Sequence, residues 1–186
     1  MAIFFTSDHH FCHGNVIKHA KRPFADADEM DAEMVRRWNS VVRKGDTVYH
    51  GGDVGIGNPQ KIKAALDQLN GDIHLVTGNH DPNNALKPAC RDRFASIQPY
   101  LEVIVGDAEA HKGKRLICLF HYACRTWNAK HYGTWHLFGH SHGNMPPHGL
   151  SFDLSVDCHD FTPLSYAQVK AKMATLEPDL HIFEKR

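Results

Sequence analysis

Five short groups along the chain carry side chains able to ligate a metal or move a proton. They are Asp8-x-His10, Gly52-Asp53, Gly78-Asn79-His80-Asp81, an isolated His121, and Gly139-His140-x-His142. Imidazole nitrogens mixed with carboxylate oxygens suit Mn2+, Fe2+, Zn2+, Co2+ or Ni2+, whereas an all-oxygen shell would suit Mg2+ or Ca2+. In an extended segment Asp8 and His10 share a face while His9 points the other way, so the first two can grip one ion together. The same alternation puts His140 and His142 on one side of their segment, both within reach of a metal cluster. Taken singly the groups carry less. Asp53 also suits a turn after paired glycines, and Asp81, followed by Pro82, also reads as the cap of a helix.

Each group follows a run that reads as a β-strand. Residues 2–6, 47–50, 73–77, 115–120 and 135–138 are short, apolar and bounded by glycine or polar residues, the pattern of buried strands. The candidate ligands therefore cluster at strand carboxyl ends, where open α/β sheets bind their ligands. Met30, Met34, Val35, Trp38, Val41 and Val42 follow helical spacing, which predicts a helix capped by Asp28 and stopped by Gly45. Further helices are expected over 15–20, 59–69 and 164–173. Strands are expected over 101–105, paired with 115–120, and over 151–156 and 180–183. Residues 83–98 are poorly patterned and read as irregular structure or a short helix.

Composition bounds the function. A chain of 186 residues with 42% hydrophobic content can bury one sizeable core, which predicts one domain spanning 1–186. Lys plus Arg equal Asp plus Glu at 21 each, so no charge excess would drive binding to a nucleic acid by counterion release. The 16 histidines do not gather as a tag at either end. Five cysteines, odd in number and without C-x-x-C spacing, suggest neither a disulfide framework nor a cysteine-rich zinc site. The opening Met1-Ala2-Ile3-Phe4-Phe5 is too short for a signal peptide or a membrane span, which predicts a cytoplasmic protein.

In their order the five groups resemble the signature of the calcineurin-like metallophosphoesterase superfamily, over residues 8 to 142. Phe11-x-His13-x-Asn15, Arg22-Pro23-Phe24 and Trp38-Asn39 look like a small bacterial and phage branch of predicted phosphoesterases. The resemblance implies an α/β fold, a four-layer α/β/β/α sandwich with two mixed β-sheets and the site at one rim. It implies a dinuclear centre in which Asp8, His10 and His142 hold one ion, Asn79, His121 and His140 hold the other, and Asp53 bridges them. His80 would donate to the leaving oxygen and Asp81 would orient its ring. The implied partner is a phosphoester substrate, a phosphodiester or small nucleotide-like phosphate, attacked by a hydroxide bridging two divalent ions. Manganese is the expected metal, being common in the family. His13, Asn15 and Arg22 are further candidates for substrate binding, Arg22 because a planar fork pairs well with phosphate. A nuclease or RNA-end processing enzyme, and a scaffold that has lost catalysis, are the alternatives. The neutral charge balance weighs against the first, and the complete ligand set against the second.

Overall fold

Short β-branched and aromatic runs form the frame. In the computed structural model, which describes residues 1–179, β1 (Ile3–Thr6), β2 (Thr47–His50), β3 (Asp72–Val76) and β4 (Phe94–Gln98) lie parallel in one sheet. Its far edge is closed by β9 (Leu164–Ser165), antiparallel to β1. A second sheet runs in the order β5 (Tyr100–Gly106), β6 (Lys114–Phe120), β7 (Trp135–Phe138) and β8 (Ser151–Asp153). There β5 and β6 are antiparallel and the other pairs parallel. Both sheets are thus mixed, as expected. The strand expected over 180–183 lies outside the described residues.

Side-chain alternation divides the interior in two. On one face of the first sheet Phe4, Val48, Ile73 and Leu75 pack with Met30, Met34 and Trp38 of α2 (Ala27–Val41) and Ile62 and Leu66 of α3 (Pro59–Leu66). α1 (Gly14–His19) adds Val16, and α4 (Pro88–Arg91) adds Cys90. On the other face Phe5 and Val76 meet Val103, Ile117, Leu119, Leu137 and Phe152 of the second sheet. Val169 and Met173 of α5 (Tyr166–Met173) complete that layer. Consecutive Phe4 and Phe5 therefore serve opposite cores, because neighbours on a strand point to opposite faces. On the outer side of the second sheet the ring of Trp127 lies 5.3 Å from that of His136, whose Nε2 accepts the Cys124 N–H.

The register brings the loops together. Thr6 pairs with His50 and His50 with Leu75, so β1, β2 and β3 end side by side and release Asp8, Asp53 and Asn79 at one rim. In the second sheet Leu119 pairs with Leu137, which puts His121 and His140 next to one another. A bridge between Ser7 and Ser155 ties the two sheets at that rim.

Several boundaries differ from expectation. α2 is capped by Asp26, not Asp28: Asp26 is extended and its carboxylate accepts the Glu29 N–H, as an N-cap must, while Asp28 falls in the first turn. α3 stops at Leu66. Residues 83–98 contain α4 and the edge strand β4, whose weak alternation hid it. The strand expected over 151–156 is only Ser151–Asp153, followed by a 3-10 turn at Val156–Cys158. Residues 164 and 165 pair with β1, and α5 begins after them behind a capping box made by Ser165 and Gln168. After Asp81 there is only a single 3-10 turn, Asp81–Asn83.

Candidate metal centre

The strand ends turn sharply through left-handed backbone. Asp8, His10, Asp53, His140 and His142 have φ of 58°, 54°, 55°, 68° and 47°, a region that non-glycine residues seldom occupy and that concentrates at functional sites. Extended-strand alternation therefore does not govern these segments. Asp8 and His10 still converge, but through turns. His140 and His142 both reach the cluster and enter different ligand groups.

Two groups of ligating atoms result. Those of Asp8, His10 and His142 lie within 4.8 Å of one another, and so do those of Asp53, His121 and His140. Asp53 Oδ2 joins the groups, 3.7 Å from His10 Nε2 and 3.5 Å from His121 Nε2. Asn79 Oδ1 stands 3.0 Å from His121 Nε2. The seven ligands expected from the resemblance thus form one double cluster, drawn from both sheets.

Backbone packs closely around the carboxylates. A Cβ on Gly139 would collide with Asp8 Oδ2, and one on Gly78 with Asp53 Oδ1, so both positions need glycine for space. The Asp8 carboxylate accepts the His140 N–H at 3.1 and 3.0 Å from its two oxygens, while Asp53 Oδ1 accepts the His80 N–H at 2.9 Å.

Two imidazoles are held in one tautomer. His121 Nδ1 donates to the Gly51 carbonyl at 2.8 Å and His142 Nδ1 to the Asp157 carboxylate at 2.7 Å, since both partners only accept. Each ring then presents Nε2 to the cluster. Both ring nitrogens of His10 are buried without a hydrogen-bond partner, which is costly unless a cation is bound. The donor set and these unpartnered nitrogens fit divalent transition metals.

The electrostatics agree with a site built for positive charge. Burial lifts Asp8 to about 7 and pushes His10 down to about 2, which keeps that ring neutral with one nitrogen lone pair free. At Asp53 burial is outweighed by His121, the His80 N–H and His10, and its carboxyl falls to about 2. At His121 burial is outweighed by Asp53, Asp8 and the Gly51 carbonyl, and the ring rises to about 9.

The remaining expected residues are distributed differently. His80 lies at the open rim with a side chain 44% exposed, its Nε2 3.9 Å from Asp53 Oδ2. Asp81 does not orient that ring. It is buried, and its carboxylate accepts the N–H groups of Asp53, Val54 and Gly78 at 2.9, 2.9 and 2.7 Å. Arg22 is not a phosphate fork facing solvent: its side chain is fully buried and paired with Asp157. His13 has its ring 5.3 Å from that of His10 and a buried, unpartnered Nδ1, while Asn15 is exposed. Sequence reasoning missed Asp157, which belongs to no spaced motif. It also missed Tyr122, whose exposed ring sits 4.7 Å from that of His140.

Comparison with known proteins agrees with this geometry. The chain belongs to the calcineurin-like phosphoesterase family, whose model matches residues 1–120; it is a metal-dependent phosphoesterase. The matched span ends before His121, so the second sheet's contribution to the centre is seen in the geometry. The chain is 30% identical over 172 residues to the uncharacterized protein MJ1445 of Methanocaldococcus jannaschii, covering 88% of this chain and 86% of that one. It is 28% identical over 164 residues to the gene 66 protein of Mycobacterium phage L5, covering 76% and 77%. The crystal structure of AQ665 from Aquifex aeolicus, a protein of unknown function, shares the fold with a TM-score of 0.64 at 22% identity, over 92% of this chain and 98% of that one. Among the described residues no helix is long and apolar enough to cross a membrane.

Proposed function

We propose that the chain is a single-domain dinuclear phosphoesterase acting on phosphodiesters or small nucleotide-like phosphates. The observation that carries this reading is the Asp53 carboxylate shared between two ligand groups. Asp8, His10 and His142 would hold one ion and Asn79, His121 and His140 the other, with Asp53 spanning both and Mn2+ the expected occupant. Such a pair of ions, when bound, clamps phosphoryl oxygens and lowers the pKa of water so that a nucleophile is available near neutral pH.

The chain's own groups do the rest. His80 stands at the exposed rim, where its imidazole can pass a proton to the departing oxygen. Its placement comes from the backbone: the N–H donates to Asp53 and the carbonyl accepts from Asn84 Nδ2 at 2.7 Å. Asp81 acts one step back, fixing the Asp53 turn through three backbone N–H groups. Exposed Asn79 and His140, with half-exposed His80, leave the site open to a substrate whose far end projects into solvent. His13 lies beside His10 and His80 and is the better placed of the substrate-binding candidates.

The test is a screen of Mn2+-reconstituted protein against a chromogenic phosphomonoester, a chromogenic phosphodiester, 2',3'-cyclic nucleotides and labelled single-stranded RNA. Faster turnover of the diester or cyclic nucleotides is expected. A protein that hydrolyses RNA alone would shift the reading to a nuclease, and no turnover with any transition metal would sink it.

A further inference from the structure

The Arg22 guanidinium has five N–H groups and each has found a partner inside the protein. The Nε N–H and one N–H of Nη2 donate to the two oxygens of Asp157 at 2.8 and 2.9 Å. The other N–H of Nη2 donates to the Asp8 carbonyl at 2.7 Å, and Nη1 donates to the His9 carbonyl at 2.8 Å and to the Met30 sulfur at 3.4 Å. The same Asp157 Oδ2 also accepts from His142 Nδ1 at 2.7 Å and from the Ser155 hydroxyl at 2.9 Å. The Arg22 side chain is fully buried and that of Asp157 is 8% exposed.

These contacts have one target. The Asp8 and His9 carbonyls belong to the left-handed turn that swings Asp8 and His10 into the cluster. His142 is the third member of that group. Arg22 thus braces the backbone under two candidate ligands, and its carboxylate partner fixes the tautomer and ring direction of the third. Such outer partners of metal-bound histidines commonly change metal affinity 10- to 100-fold. None of these hydrogen bonds goes to Asn79, His121 or His140, or to the Asp53 carboxylate.

We propose that Arg22 and Asp157 are a positioning pair dedicated to one of the two metal sites, the one formed by Asp8, His10 and His142. The inference rests on the dinuclear reading. It explains why an arginine that looks like a phosphate ligand is spent indoors, and why an aspartate outside every motif is buried beside a histidine.

The test uses the intact protein, titrated with Mn2+ by calorimetry and followed by electron paramagnetic resonance. The unaltered chain should take two ions and show the spectrum of an exchange-coupled pair. Asp157→Asn should take the first ion normally and the second about 10- to 100-fold more weakly, with the six-line spectrum of isolated Mn2+ at one equivalent. His142→Ala should likewise weaken the second ion and leave the first unchanged. Should Asp157→Asn fail to fold, Arg22→Lys carries the same expectation, since it keeps the buried charge but loses the two-pronged bond. A merely structural pair would lower thermal stability and leave the two ions equally affected or untouched; either outcome overturns the proposal. An unaltered protein that binds only one ion would overturn the dinuclear reading itself, and is told apart by needing no variant.

Discussion

Asp53 Oδ2 stands 3.5, 3.7 and 3.9 Å from the Nε2 atoms of His121, His10 and His80. Three imidazoles around one carboxylate oxygen have different duties according to exposure. His10 and His121 are buried with Nε2 directed at that oxygen, whereas the His80 side chain is 44% exposed, as the proposed proton donor to a leaving group needs to be. Replacing His80 with Ala should lower kcat by about 10²- to 10⁴-fold while metal content, measured by mass spectrometry of the intact loaded protein, stays at the unaltered level. Loss of metal in parallel would mean that His80 is a ligand. Asp81, its neighbour, is not placed to assist the proposed proton transfer, because both its oxygens accept backbone N–H groups.

At the scale of elements, α2 is the member that braces the first sheet from behind. Trp38 is fully buried and its indole N–H donates to the Asn70 carbonyl at 2.9 Å, joining the helix to the turn before β3. Trp38→Ala should cost about 3–5 kcal/mol, read as a shift of the urea midpoint. From the same helix Asp31 takes the Cys12 N–H on both oxygens, at 3.1 and 2.9 Å, which pins the chain just after His10. Burial dominates there and lifts Asp31 from 3.8 to about 6. The folded chain then binds a proton more tightly than the unfolded one, so this group's contribution to stability declines as pH rises from about 4 to about 6. Asp31→Asn should flatten that part of the stability curve, measured by denaturation at pH 4, 5 and 6. An unchanged slope would remove Asp31 as its source.

At the scale of the whole molecule, the centre exists only because two sheets present their carboxyl ends to one rim. The Asp8 carboxylate bonded to the His140 N–H spans 132 residues of chain. Ions bound by the folded chain alone should stabilise it by about 2.7 kcal/mol per site at a hundredfold excess over Kd. For a chain of this size each kcal/mol is worth roughly 2–4 °C in Tm, so removing metal with a chelator should lower Tm by several degrees and returning Mn2+ should restore it. An indifferent Tm would argue that no ion binds the native state.

Residue types and local periodicity alone determined which strand ends carry ligands. Period-two and helical patterns are local properties, and the apolar runs before Asp8, Asp53, Asn79, His121 and His140 did become strands. Periodicity failed where alternation or composition did not discriminate: β4 is an edge strand with little alternation, and Asp26 took the cap because its own backbone stayed extended. Only the tertiary structure decided that His140 and His142 enter different ligand groups, since left-handed backbone at both positions replaces the extended strand assumed from the spacing. It alone decided that Arg22 serves the interior, because its carboxylate partner lies 135 residues away and no spacing rule reaches that far. Local sequence settles what a side chain can do; burial and long-range hydrogen bonding settle what it faces.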